Sequence, residues 1–399
     1  MKKTASITSI SQPRARDLKI AMQSIAKSAG ERAAQTDRDR VVSAEVVSAM
    51  RDAGLFRALQ PARWGGAEID NAEWLDLIVE LARECGSSAW VYSVLSAHAT
   101  AIACFPVEAQ TEIWTEYPWA VASSAVAPTA IARRVDGGFA VSGKWSFSSG
   151  CDYAQWALAG ARVENGEGEA PGMIFTLIPF KDIRIEDDWH VVGLRGTGSK
   201  SIHVADVFVP EYRTLPFRQL MDGNAIGALD YETPYYRSPR HAWAPSGLAA
   251  VGVGIALGFV GKFTAYARDR KILNGATMGD LDTIQLKISE SAAEAEAALR
   301  ILKANTAEAM AEVAATGTLT IGTRARCRRD QAFATRLCMV AVDRLYTAAG
   351  AYAIYEGNSM QQAFRDMHAV AGQVVLNFDA AGKSFSRVMM GRVPDDMLL

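Results

Sequence analysis

The sequence predicts an α+β protein that is mostly α. An N-terminal helical domain covers 1–115, a central antiparallel β-domain 116–213, and a C-terminal four-helix bundle 214–399. Three observations carry this. The chain holds 13 prolines, yet none falls between Pro245 and Pro394, and proline is the residue that helix interiors exclude. Within that gap Leu281, Ile284, Ile288, Ala292, Ala295, Leu299, Leu302 and Met310 recur mostly at helical spacing, with Glu290, Glu294, Lys303 and Glu308 between them. Between 116 and 213 the pattern changes to short apolar runs bounded by Gly, Pro and charged clusters, which read as strands.

Taken in order, 18–33, 43–58, 72–85 and 88–103 are expected to be amphipathic or buried helices, with Trp64-Gly65-Gly66 as a tight break between the second and third. Asp136-Gly137 marks a hairpin turn. The runs 172–179 and 201–209 are β-like, and 164–172 is a polar, Gly-rich loop. The bundle is assembled from 247–270, 281–310, 324–355 and the segment after Ser359.

Composition narrows the class. Of 399 residues, 49% are apolar, and 42 Lys+Arg against 44 Asp+Glu leave a net charge of −2. Such a chain is not globally disordered. It also lacks the basic surplus that nucleic-acid or anionic-membrane partners select, so neither partner is expected. Cysteines 85, 104, 151, 327 and 338 form no C-x-x-C pair and read as reduced thiols, which points to the cytoplasm. The N-terminal 1–17 has no apolar core of signal-peptide length. The uncharged run 242–261 is only mildly apolar and is expected to be a buried helix rather than a membrane span.

Gly252, Gly254 and Gly258 superficially suggest a dinucleotide fingerprint, but the third glycine falls one position late and no strand precedes it. They are expected to allow close helix packing. The five histidines show no metal-ligand spacing, and no metal site is expected. His98 and His368 each lie in a helical segment, His203 alternates with Ile202 and Val204 on a strand's solvent face, and His190 and His241 stay open. Two segments are denser in hydroxyls and glycine than a core requires: Ser142-Gly-Lys-Trp-Ser-Phe-Ser-Ser-Gly150 and Gly193-Leu-Arg-Gly-Thr-Gly-Ser199. Taken singly they read as turn chemistry; beside aromatic rings they suit a flat ligand with a polar edge.

These segments, with Trp64-Gly65-Gly66, Val207-Phe-Val-Pro210 and Tyr266-Ala-Arg-Asp-Arg-Lys271, resemble the acyl-CoA dehydrogenase fold over almost the whole chain. Phe147-Ser-Ser-Gly150 and Arg365-Asp-Met-His-Ala369 resemble, within that fold, the two-component, reduced-flavin-dependent monooxygenases. Those include the oxygenase component of 4-hydroxyphenylacetate hydroxylase, the steroid-ring phenol hydroxylases, and the indole and dibenzothiophene oxygenases. The resemblance implies an aromatic hydroxylase. A separate NAD(P)H-dependent flavin reductase would supply reduced FMN or FAD, and dioxygen would add at flavin C4a to give a hydroperoxide that transfers oxygen to a phenol or indole. It also implies a homotetramer.

The same resemblance assigns residues. Ser149 matches the hydroxyl at flavin N5, and Phe147 the aromatic residue near the ring. Arg195, Thr197, Gly198 and Ser199 fall in the flavin-binding loop, and Arg270 matches a phosphate contact, with Arg240 a weaker one. His368 is the expected base, titrating near the operating pH, with His98, Ser124, Trp145 and Gln362 expected around the substrate. The family often carries arginine where Gln362 stands, and Ile272-Leu-Asn replaces the Gln-Phe-Gly that grips the adenine half of FAD in the dehydrogenases. FMN therefore stays as open as FAD. Tyr355-Glu356-Gly357 motivates an alternative, an acyl-CoA dehydrogenase with Glu356 as base. A third reading is a scaffold that keeps the fold without the cofactor.

Overall fold

A computed structural model describes residues 13–164, 172–273, 275–394, 396 and 399. The expected loop at 164–172 lies almost wholly outside the described residues, as does most of the 1–17 segment.

The described residues open with six helices: α1 (Ala15–Glu31), α2 (Ala33–Asp39), α3 (Ala44–Asp52), α4 (Asn71–Glu84), α5 (Gly86–Ile102) and α6 (Val107–Trp114). Helix α3 is shorter than its apolar run suggested, because Gly54 turns left-handed (φ 78°) and the chain continues as a 3₁₀ turn at Leu55–Arg57. Helix α4 starts at a full capping box, with Asp70 accepting from Ala72 N and Glu73 returning to the Asp70 amide; such a cap contributes about 1 kcal/mol. Helix α5 is apolar all round and buried at every residue but Val94, as befits a helix at the centre of the molecule.

Seven strands follow: β1 (Ala122–Val135), β2 (Gly138–Trp145), β3 (Trp156–Glu164), β4 (Met173–Pro179), β5 (Arg184–Glu186), β6 (Ser201–Pro210) and β7 (Thr214–Pro216), in the order β5-β6-β2-β1-β3-β4-β7. The sheet is mixed rather than antiparallel throughout. Strands β1 and β2 form the expected hairpin, but β3 pairs with β1 in parallel, Ala122 opposite Trp156. The cause is the 146–155 loop, which carries the chain from β2 past the start of β1 to its far side, so the hydroxyl-rich segment is itself the crossing. His203 on β6 bonds Glu186 at 2.5 Å on the outer face.

After α7 (Phe217–Asp222) comes the bundle: α8 (Pro245–Asp269), α9 (Asp282–Thr316), α10 (Ile321–Ala349), α11 (Ser359–Ala371) and α12 (Phe378–Met389). The single C-terminal helix expected from the sequence is two, separated by a 3₁₀ turn at Val374–Leu376. By length and composition α8 could cross a membrane, but it packs on α4, α5, α9, α10 and α11. Its glycines do what was expected of them: a Cβ on Gly254 would lie 2.4 Å from the Ala82 Cβ, and one on Gly258 2.3 Å from the Arg83 carbonyl oxygen. One core joins the N-terminal helices to the bundle, and a second fills the sheet.

Candidate active site

Two loops meet beside α5. In the first, Phe147 is held in left-handed backbone (φ 67°), which costs a bulky residue about 1–2 kcal/mol. The surrounding contacts impose it: Ser148 N donates to the Lys200 carbonyl, Gly150 N to the Thr197 carbonyl, and the Ser148 and Ser123 hydroxyls bond at 2.8 Å with no solvent exposure. The consequence is that the Phe147 ring stands 70% exposed, edge-on to Trp189 at 5.8 Å.

The second loop, 193–199, lies directly on two helices. A Cβ on Gly193 would sit 2.1 Å from the Arg365 carbonyl oxygen of α11, and one on Gly196 2.2 Å from Thr36 of α2. Gly198 and Leu194 are both left-handed, at φ 53° and 50°.

Between the loops runs a chain of hydroxyls whose direction is determined. Thr197 Oγ1 donates to the Leu194 carbonyl at 2.9 Å, and a carbonyl only accepts. Each hydroxyl has one proton, so Ser199 donates to Thr197 (2.6 Å) and Ser149 donates to Ser199 (2.7 Å). The indole N–H of Trp90 donates to Ser149 Oγ at 3.1 Å. Ser149 therefore keeps one free lone pair and presents an acceptor.

His98 follows Trp90 by just over two turns of α5. Its Nδ1 bonds the Ala122 carbonyl at 2.7 Å, so Nδ1 carries the proton and Nε2 is a bare acceptor. Burial first, then the nearby Arg240 cation, push its pKa down to about 3. It is a neutral hydrogen-bond acceptor, not a base titrating near neutrality. Arg240 is half-buried and engaged by protein groups: it donates to Thr100 Oγ1 and the Ala97 carbonyl, desolvation lowers its pKa to about 10, and it has no ion-pair partner among the described residues. Ser124 is half-buried on β1, on the opposite face from Ser123.

Other predicted residues have different surroundings. Trp145 is a correction: it is 1% exposed and donates to the Gly160 carbonyl inside the sheet core, because its position on β2 faces inward. Gln362 donates to the Ala33 carbonyl, and Arg195 to the Asp37 and Val191 carbonyls, so both side chains fasten α2 to its neighbours. His368 is part-exposed, bonds Asp343 at 2.8 Å across α10 and α11, and rests on Phe364. Arg270 is exposed just beyond α8. Glu356 lies in an exposed turn between α10 and α11. A crevice of about 230 Å³ lined by Phe56, Leu95, Trp119 and Tyr153 contains none of the predicted residues.

Sequence reasoning missed Trp90, Trp189 and Asp366. Trp90 had a signal in its helical spacing from His98, and Asp366 lies within the Arg365–Ala369 motif without having been singled out there; Trp189 had no local signal.

The donor set fits a flavin ring. Phe147 offers an exposed aromatic surface backed by the half-buried Trp189, and Ser149, held from behind by the buried Ser199 and Thr197, gives it a polar edge. The model of the acyl-CoA dehydrogenase N-terminal domain matches 14–117, and that of the C-terminal domain matches 246–378. This defines the class by fold. The chain is 36% identical over 373 residues, 91% of each chain, to the FADH(2)-dependent resorcinol hydroxylase oxygenase component of Rhizobium sp. (strain MTP-10005). The crystal structure of 3-HSA hydroxylase from Rhodococcus sp. RHA1 superposes with a TM-score of 0.91 at 32% identity, covering 96% of this chain and 99% of that one. XiaF from Streptomyces sp., in complex with FADH2 and glycerol, superposes at 0.90 with 25% identity, covering 96% and 98%. The chain belongs to the oxygenase components of the flavin-dependent monooxygenases, within the acyl-CoA dehydrogenase fold.

Proposed function

We propose that this oxygenase component binds reduced flavin, FADH2 or FMNH2, delivered by a separate reductase, and hydroxylates a phenolic or related aromatic compound. One observation carries the reading: the direction of the hydroxyl chain leaves Ser149 as an acceptor. The N5 edge of a reduced flavin bears an N–H, whereas the oxidised ring presents a lone pair there, so the site selects the reduced form.

The chain's own groups have distinct tasks. Phe147 and Trp189 offer an apolar surface to the ring, and Arg270 remains exposed for a phosphate. Reduced flavin, when bound, supplies the electrons that activate dioxygen for insertion of one oxygen atom into the substrate. The His98 Nε2 lone pair accepts a phenolic O–H. That bond orients the phenol with its proton retained, since burial and the Arg240 charge keep His98 itself from taking the proton up. The buried surroundings of α5 keep water from the reacting atoms.

The test combines the purified chain, a generic NADH-dependent flavin reductase, FMN or FAD, and a panel of phenols, indoles and fused heteroaromatics. A product heavier by one oxygen atom is expected with reduced flavin and dioxygen; its absence across the panel refutes the reading. Self-association belongs to the same proposal. Leu286, Ile354 and Tyr355 on the bundle are 68%, 63% and 68% exposed, an apolar surface that a homotetramer would cover. A monomer mass in sedimentation would exclude it.

A further inference from the structure

The Leu194 peptide unit organises the whole flavin-facing surface. Its carbonyl accepts from Thr197 Oγ1, the end of the hydroxyl chain, and at 3.3 Å from the indole N–H of Trp189, the partner of Phe147. Its own N–H donates at 2.6 Å to Asp366 Oδ1, on α11 and 172 residues away. Leu194 holds a left-handed conformation that a non-glycine residue does not keep unaided, and Asp366 is 2% exposed.

We infer that Asp366 is a positioning residue: through the Leu194 amide it clamps the 193–199 loop to the bundle and so keeps Thr197, Ser199 and Trp189 in the arrangement that presents Ser149 and Phe147 to flavin. The inference rests on the proposed reading of Ser149. Arg365, the neighbour of Asp366 on α11, supports the clamp by donating to the Val192 carbonyl and pairing with Asp37 of α2.

The clamp has a pH dependence. Charged and titratable groups act on Asp366 from each packed element: Asp37 on α2, Arg365 on α11, Lys262 on α8, and Cys85 at the start of α5. Desolvation outweighs the Leu194 hydrogen bond and raises the carboxyl pKa to about 7. Opening the loop returns the carboxyl to water and its ordinary value, so ionisation favours the open loop. The clamp is tightest below about pH 4, loosens as pH rises from there to about 7, and changes no further above that.

Hydrogen exchange of the 193–199 segment in the full chain without flavin, corrected for intrinsic rates, reads the clamp directly. Anaerobic titration with FADH2 reads its consequence. In the wild-type chain, loop opening is expected to rise by up to about tenfold per pH unit between about pH 4 and 7 and to level off above 7. Asp366→Asn keeps an acceptor oxygen and should show protection that does not change with pH. Asp366→Ala should exchange roughly five- to a hundredfold faster below pH 7 and bind FADH2 more weakly, since the buried Leu194 N–H loses its acceptor. A folded Asp366→Ala chain with wild-type exchange and affinity overturns the inference. If that variant does not fold, coincident pH profiles for Asp366→Asn and wild type overturn it instead. The exchange measurement contains no flavin, so a failure of the proposed reaction and a failure of the clamp are separate results.

Discussion

Ser149 donates its only hydroxyl proton to Ser199, 2.7 Å away, and accepts the Trp90 indole N–H at 3.1 Å. The relation follows from proton counting down to the Leu194 carbonyl, and it makes Ser149 an acceptor toward anything that binds beside it. Ser149→Ala removes that acceptor but leaves the aromatic surface in place. Reduced-flavin affinity should fall by less than about tenfold, the worth of one hydrogen bond. Hydrogen peroxide released per flavin oxidised should rise at the expense of product. An unchanged product-to-peroxide ratio would contradict the role of Ser149.

His98 is buried neutral, with a pKa of about 3 against about 6.5 in the unfolded chain. Its folded value is depressed, so the unfolded state takes up the proton first, and stability is lost as pH falls below 6.5. The loss is about 1.4 kcal/mol per pH unit at most. His241, also lowered to about 3 by burial, adds in the same direction. The melting temperature should drop between pH 7.5 and 5, and drop less in His98→Gln. Equal drops would mean that His98 is not desolvated.

The α4–α8 contact depends on missing side chains. Gly254→Ala places a methyl 2.4 Å from the Ala82 Cβ. The two backbones must part, at about 1–3 kcal/mol. Gly261, on the same helix, has nothing within 4 Å of its would-be Cβ. Gly261→Ala should be neutral or stabilise by up to about 1 kcal/mol through helix propensity. Thermal melts of the pair decide the matter, and similar behaviour would mean that α8 is not packed this way.

Arg365 and Asp37 form a two-bond ion pair whose side chains are each 17% exposed. Arg365→Ala should destabilise by about 1–3 kcal/mol, between the values for exposed and buried pairs. A double-mutant cycle with Asp37→Asn should return most of that as coupling. A coupling indistinguishable from zero would show that the pair does not join α2 to α11.

Glu356 sits in an exposed turn. Glu356→Gln should leave oxygen consumption and hydroxylated product unchanged, and the wild-type chain should not reduce its flavin when given an acyl-CoA. Flavin bleaching by an acyl-CoA that is lost in Glu356→Gln would restore the dehydrogenase alternative.

Much of the architecture is local information. The three- and four-residue spacing of 281–310, the Asp70–Glu73 cap and the proline-free stretch place helices because a helix is stabilised by neighbours one turn away. The two hydroxyl-rich loops were legible for the same reason, since glycine and serine mark turns wherever they fall. Resemblance to known enzymes then gave Ser149 and Phe147 their expected roles.

What required the folded chain is whatever depends on residues far apart in sequence. Strand alternation alone does not say which face of β2 is inside, and packing turned Trp145 into the sheet core. Nothing local marks β3 as the parallel neighbour of β1, which follows from where the 146–155 loop crosses. His98 reads as a histidine of ordinary basicity until burial and Arg240 remove its charge. Asp366 and Leu194 are ordinary residues until a 172-residue separation closes to 2.6 Å. Periodicity records which residues share a helix or strand; hydrogen-bond direction and pKa are set by the atoms that the completed fold brings into contact.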